Sequence, residues 1–279
     1  MTIDLAAAKP KDPVLLQMFR SARDHRHLVA LLIARYVEMS FRGSLLGKLW
    51  TALVPLFRLA VYTFVFGVIL KVKWPGTVGS KFEVALLYFA GLTLFDFFVE
   101  CLGTAPGLML DNVNFIKKVV FPLEILPLAL VGSALVRLAV TTAILLAFYL
   151  AIEGLPGPAI LAIPLVLAPF ALIVLGSVWF LSALGAFVRD MRQVMALATL
   201  VLMYLSPIFF PLAAAPPPLR PFLYANPLTF AIETVRAALF ADSWPNWWAL
   251  ALYAAIAWLF ATAGYLWFMR VKPGFADVV

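Results

Sequence analysis

Six stretches of the chain, roughly 49–70, 83–103, 125–151, 160–187, 194–212 and 247–269, are mostly apolar. Each has about the twenty residues that an α-helix needs to cross the hydrocarbon layer of a bilayer. Composition agrees: 65% of residues are hydrophobic and 13% charged, whereas a water-soluble domain carries about 25% charged residues. The 24 Phe and 8 Trp suit a bilayer protein with interfacial aromatics. The expected fold is an all-α membrane protein with six transmembrane helices.

The charges give its orientation. A net charge of +7 would suggest nucleic-acid binding in a soluble protein. Here Lys and Arg gather in the N-terminal arm and in short loops, which is the positive-inside pattern. With the N-terminus inside, fourteen lie on the inner side, among them Lys9, Lys11, Lys117, Lys118, Arg189, Arg192, Arg270 and Lys272. Five lie outside: Lys71, Lys73, Lys81, Arg220 and Arg236. Both termini are therefore expected in the cytoplasm. Residues 1–27 are polar and have no apolar core of a cleavable signal peptide. Cys101 is the single cysteine, so no intrachain disulfide forms.

Three segments do not read as spans. In residues 28–42, Arg35, Glu38 and Arg42 share one helical face while Leu28, Leu31, Leu32, Ile33, Val37 and Met39 cover much of the rest. This predicts an amphipathic helix lying in the membrane interface; the plainer alternative is the start of the first span. Gly43 and Gly47 favour the former, because they break the helix before Trp50. Residues 104–124 form an inner loop with a short helix between Pro106 and Pro122. Residues 211–246 lie outside, with apolar stretches near 217–224 and 227–240 set between prolines. Each is too short to span. They read as two short re-entrant periplasmic helices, or as helices lying flat on the interface. The resulting divisions are an arm and interface helix (1–48), a transmembrane domain (49–270) and a tail (271–279).

No catalytic set, metal site or nucleotide site is visible. His25 and His27 have no Cys or carboxylate at ligand spacing. Gly43–Lys48 superficially resembles a phosphate loop, but its glycine spacing is one short and Leu49 stands where a Ser or Thr would hold magnesium. Any energy-driven work therefore needs a nucleotide bound by a partner chain. An ion-coupled transporter would show broken helices in matching halves, and no internal repeat is apparent. A membrane glycosyltransferase or polymerase would need catalytic carboxylates outside, where 211–246 offers only Glu233 and Asp242.

Some charges sit inside the spans. Arg58 lies ~13 Å above the inner end of span one, and Asp96 and Glu100 lie ~10 and ~5 Å from the inner end of span two. These depths nearly match, which predicts a pair of Arg58 with Asp96 or with Glu100, either lining the inner mouth of a path or simply joining helices. Arg137 lies near midplane in span three with no partner at an obvious depth. It is expected to face protein or water, as a substrate contact or a buried structural one. The aromatics of spans one and two, above all Tyr62, Tyr88 and Phe95, are able to stack against sugar rings without fixing them in place. Ordinary packing accounts for most of the others.

Three stretches carry a resemblance. Phe41-Arg42-Gly43-Ser44-Leu45-Leu46-Gly47-Lys48-Leu49-Trp50 runs into Val54-Pro55-Leu56 and Val61-Tyr62-Thr63-Phe64-Val65-Phe66. Asn114-Phe115-Ile116-Lys117-Lys118-Val119-Val120-Phe121-Pro122-Leu123-Glu124-Ile125-Leu126-Pro127 is the second. Ser206-Pro207-Ile208-Phe209-Phe210, followed by Asn226-Pro227-Leu228-Thr229 and Arg236, is the third. In this order they resemble the ABC-2 type permeases that export polysaccharides: O-antigen, capsule and teichoic-acid exporters. Val54 stands where that family commonly has Asn, Arg58 where it has an apolar residue and Asp96 where it has an amide.

The resemblance implies a channel of two copies of this chain above a cytoplasmic ABC ATPase dimer. That dimer would bind ATP and magnesium; this chain would bind no cofactor. It also implies an ABC-2 (type V exporter-like) fold in the bacterial inner membrane. The cargo would be a glycan on undecaprenyl diphosphate, with O-antigen the nearest branch. By position, residues 26–42, with Arg35, Glu38 and Arg42, match the interface helix. Residues 109–121, with Asp111, Asn112, Asn114, Phe115, Lys117, Lys118 and Phe121, match the segment that docks on the ATPase. The substrate path would include Arg58, Tyr62, Tyr88, Phe95, Asp96, Glu100 and Arg137. A related ABC-2 exporter of a drug or lipid is the neighbouring alternative.

Overall fold

A computed structural model describes residues 20–21, 23–40, 44–70, 74, 81–117 and 121–278, and their regular structure is helical. Helix α1 is Arg26–Met39. Helix α2 is Trp50–Tyr62, continued by a π-helix over Thr63–Ile69. The central helix α3 is Lys81–Thr104. After a 3-10 turn at Ala105–Gly107 and another at Leu110–Asn112 comes the one-turn α4, Val113–Ile116. Then follow α5 (Ile125–Ile152), α6 (Ala162–Phe187), α7 (Met191–Tyr204), α8 (Arg220–Ala225), α9 (Pro227–Phe240), α10 (Trp247–Val271) and α11 (Phe275–Val278).

Among the described residues, five helical runs are long and apolar enough to cross a bilayer: Trp50–Ile69, Phe82–Gly107, Ile125–Ile152, Pro158–Phe187 and Trp247–Gly274. The sixth expected run, 194–212, takes a different form. Its helix starts earlier, at Met191, and ends at Tyr204, which makes it ~21 Å long. Pro207 is the reason. It has no N–H to donate, and it drives the residue before it out of the helical region. The apolar chain then continues through Ile208–Phe210 without a helix. The first span also departs from a plain α-helix. Leu70 N–H reaches Val65 O at 2.9 Å, an i→i−5 bond, and Thr63 Oγ1 donates to Leu59 O at 2.8 Å. A hydroxyl bonded to the preceding turn competes with the regular ladder.

α3 runs through the middle of the bundle, with every residue from Val84 to Phe95 buried. α5, α6, α7, α9 and α2 surround it. α6 and α10 form the most extensive helix pair. They approach closely because Gly176 faces the Phe260–Ala261 backbone and Gly264 faces the Gly176 carbonyl. Small residues of this kind are what lets helices meet in lipid, where no hydrophobic force drives them together. α9 is buried along one face, from Leu228 to Leu239, against α3 and α6. It is capped by Asn226, whose Oδ1 accepts from Leu228 N–H at 3.0 Å. The two short helices expected at 217–224 and 227–240 are α8 and α9.

Gly47 has φ +51, a left-handed conformation that suits glycine. It lies between α1 and α2 and accounts for the break expected there; Gly43 lies outside the described residues, as do Arg42 and Lys118. At the same end of the bundle, Gly185 of α6 rests on the Pro106 backbone, leaving no room for a Cβ. Gly185→Ala is expected to cost about 1–3 kcal/mol, the usual price of overpacking. A fall in the unfolding midpoint of the purified protein measures it, and an unchanged midpoint contradicts the contact.

Candidate functional site

The end of the bundle that carries α1, α4 and the chain's C-terminal turns is built around segment 104–117. Asn112 Nδ2 donates to the Leu108 carbonyl at 2.9 Å and to the Tyr36 hydroxyl at 3.4 Å. Burial raises the Tyr36 hydroxyl above the ordinary phenol range, and the Asn112 bond opposes this; the phenol stays neutral and serves as a polar peg between α1 and segment 104–117. The Arg35 guanidinium lies over the Phe115 ring at 5.8 Å, and Phe115 stacks on Phe121 at 4.4 Å. On the other flank Arg192 of α7 donates to Asp111 Oδ1 at 2.6 Å, and Gly107 makes room for the same guanidinium. The segment is thus fastened to α1 on one side and to the α6–α7 corner on the other. Asp111, Asn114 and Lys117 remain exposed, as do Arg35 and Glu38.

Further into the bundle, α2, α3 and α5 enclose an open cavity of about 680 Å³ lined by Arg58, Asp96, Glu100 and Arg137, with Ser40, Ser44, Trp50 and Thr141. Arg58 Nη1 bonds to Asp96 Oδ2. This selects Asp96 over Glu100 as the Arg58 partner. Arg137 is also paired, contrary to the sequence expectation: its Nε donates to Glu100 Oε2 at 2.9 Å, and its Nη2 meets Oε1. Two details close the apparent gap in depth. The helical path of α3 continues through the turn at Ala105–Gly107, which sets Glu100 deeper than a helix ending at Thr104 would. A long arginine stem covers the remainder. Four charges on three helices therefore balance within one cavity wall.

Tyr62 and Tyr88 belong to a second cluster. Phe66 lies 4.2 Å from Tyr88 and 5.9 Å from Phe209 between ring centres, and Tyr62 lies 6.2 Å from Phe66. Trp74 meets Tyr88 edge-on at 5.6 Å. Phe95 is buried in the core. Behind the cluster is a contact that the sequence did not reveal. Arg236, counted among the outer-side charges, is 5% exposed. It donates to the carbonyls of Leu87 (2.9 Å), Pro207 (2.5 Å) and Ile208 (2.7 Å) and lies over the Trp74 ring. Asn226 Nδ2 donates to Leu205 O and the Tyr88 hydroxyl to Phe209 O, both at 3.3 Å. The carbonyls that the break after α7 removes from the helix ladder are thereby answered by side chains. That is a requirement for non-helical backbone at membrane depth.

A profile described as ABC-2 type transporter matches residues 27–240, from α1 through α9. The chain belongs to the ABC-2 type transporter family. As an ABC-2 permease it is a multi-pass membrane protein. It is similar to the O-antigen export system permease protein RfbA of Myxococcus xanthus, 22% identical over 267 residues that cover 95% of this chain and 100% of that protein. Two proteins of the same description from Klebsiella pneumoniae are 22% and 23% identical over 253 residues, 90% of this chain and 95% of theirs. The family match contains the cavity, the aromatic cluster and segment 104–117 of this permease. Sequence reasoning missed the Tyr36–Asn112 and Arg192–Asp111 contacts, because each joins residues more than seventy positions apart with no periodic pattern between them.

Proposed function

We propose that two copies of this permease form the membrane path of an ATP-driven exporter of a lipid-linked polysaccharide. An O-antigen glycan on undecaprenyl diphosphate is the favoured cargo, and capsular or teichoic-acid polymers are its neighbours. A cytoplasmic ABC ATPase dimer binds ATP and magnesium and docks on α1 and segment 104–121. Both termini face the cytoplasm of a cell bounded by this inner membrane. The fifth crossing is α7 together with its non-helical continuation, and α8 and α9 re-enter from the outer face. The observation that carries this reading is the near full-length similarity to proteins described as O-antigen export permeases.

The geometry supports it. Segment 104–117 is held from two sides yet exposes Asp111, Asn114 and Lys117, as a lever needs to be rigid toward the bundle and open toward its driver. The charge-balanced cavity offers polar groups to sugar hydroxyls without a net charge that would trap a diphosphate. Tyr62 and Phe66, both half-buried, supply ring faces further along the path, whereas Tyr88, 1% exposed, and Phe95 belong to the core.

Expression with a candidate ATPase from the same source tests the proposal. The two are expected to co-purify, and the complex to hydrolyse ATP in proteoliposomes while the permease alone does not. Asn114→Arg combined with Lys117→Glu on the exposed surface is expected to lower recovery of the ATPase by at least about tenfold, since like-charge juxtaposition at an interface costs several kcal/mol. Hydrolysis by the permease alone, or undiminished recovery, would count against it.

A further inference from the structure

Glu124 stands where segment 104–124 passes into α5, and three parts of the chain converge on it. Ser21 Oγ donates to its Oε1 at 3.3 Å, Lys272 Nζ to its Oε2 at 2.6 Å, and Trp179 Nε1 to its backbone carbonyl at 3.1 Å. Glu124 is 9% exposed. Trp179 is fully buried on α6 and meets Tyr265 of α10 edge-on. Just beyond Lys272, Phe275 is fully buried against Phe268 and Phe187. A carboxylate leaves water only where donors replace its hydration. Here a different stretch of chain fills each oxygen. The segment before α1, the exit of segment 104–124 and the C-terminal turns are fastened at one point.

From this convergence we infer that Glu124 is a positioning residue that extends a push on segment 104–124 from α5 and α6 to α10, with residues 272–278 acting as a strap. The segment is joined to α6 whatever side chain stands at 124, through the Trp179 bond to the backbone carbonyl and the Pro106–Gly185 contact. The carboxylate adds α10 through Lys272. The transmission rests on the proposed docking of an ATPase; the strap rests on the contacts alone.

The test compares Glu124→Gln and Lys272→Met with the parent permease in its ATPase complex, reconstituted in bacterial phospholipid vesicles. ATP hydrolysis is expected to stay within about twofold of the parent, while glycan exported per ATP falls by at least about fivefold, the low end of coupling between sites. The exchanged pair, Glu124→Lys with Lys272→Glu, is expected to restore export. In the single variants, amide hydrogen exchange across 272–278 is expected to quicken, because a local opening loses its tether. This readout needs no ATPase. Unchanged exchange overturns the strap. Hydrolysis and export that fall together, in step with the amount of folded protein, overturn the transmission and leave a purely structural pair. Absence of ATP-driven export in the parent overturns the exporter reading and the transmission with it, while the exchange data still decide the strap.

Discussion

Arg236→Met is expected to lower the unfolding midpoint of the purified permease sharply. The guanidinium serves the Leu87, Pro207 and Ile208 carbonyls from a site 5% exposed. A buried acceptor deprived of its donor costs about 1–3 kcal/mol, so three of them cost at least about 3 kcal/mol against a total stability of about 5–15 kcal/mol for a typical protein. Arg236→Lys is expected to rescue little. Lysine presents one compact ammonium, whereas the arginine fork reaches α3 and the α7 break at once. Gly91→Ala attacks the same contact from the other side, since its Cβ would lie 2.7 Å from Arg236 Nη2. The three variants are expected to rank Met, Lys, Ala in decreasing loss of unfolding midpoint in detergent. The carbonyl clamp is refuted if Arg236→Met melts with the parent.

This arginine also shows where sequence legibility ends. The long apolar runs, the break at Gly47 and the two short helices near 217–240 could be read directly, because length, glycine and proline act locally. The shortness of α7 was signalled by Pro207 but outweighed by the apolar count of 194–212. Apolar count measures affinity for lipid, but a helix in lipid ends where its carbonyls find other donors, and those donors are Arg236 on α9, Asn226 at its cap and Tyr88 on α3. Arg236 was legible only as an outer-side charge, because the carbonyls it serves lie 28, 29 and 149 positions away. Glu124 was legible only as part of a motif; its partners Ser21 and Lys272 lie 103 and 148 positions away. In the cavity, matched depth narrowed the partner of Arg58 to Asp96 or Glu100 and the structure selects Asp96, while the Arg137–Glu100 pair depended on the turn that extends α3.

The two cavity pairs are expected to differ sharply in what they contribute. Arg137→Ala leaves Glu100 without its cation, and orphaning one member of a buried pair costs about 3–5 kcal/mol. Two features hold the loss near the lower figure: the Glu100 side chain is 35% exposed, and Arg137 Nη1 already lacks a partner among the described residues. Adding Glu100→Gln to Arg137→Ala removes the stranded charge and is expected to recover more than half of the loss. Arg58→Ala is a different case. Its side chain and that of Asp96 are 43% and 44% exposed, and an ion pair that solvent reaches contributes about 0–1 kcal/mol. Asp96→Asn, which installs the amide common in the resembling permeases, is expected to be close to neutral for stability. Unfolding midpoints of the four variants provide the comparison. If Arg58→Ala proves as damaging as Arg137→Ala, the cavity is dry where α2 meets α3, and its wall serves to join helices and not to pass a polar chain.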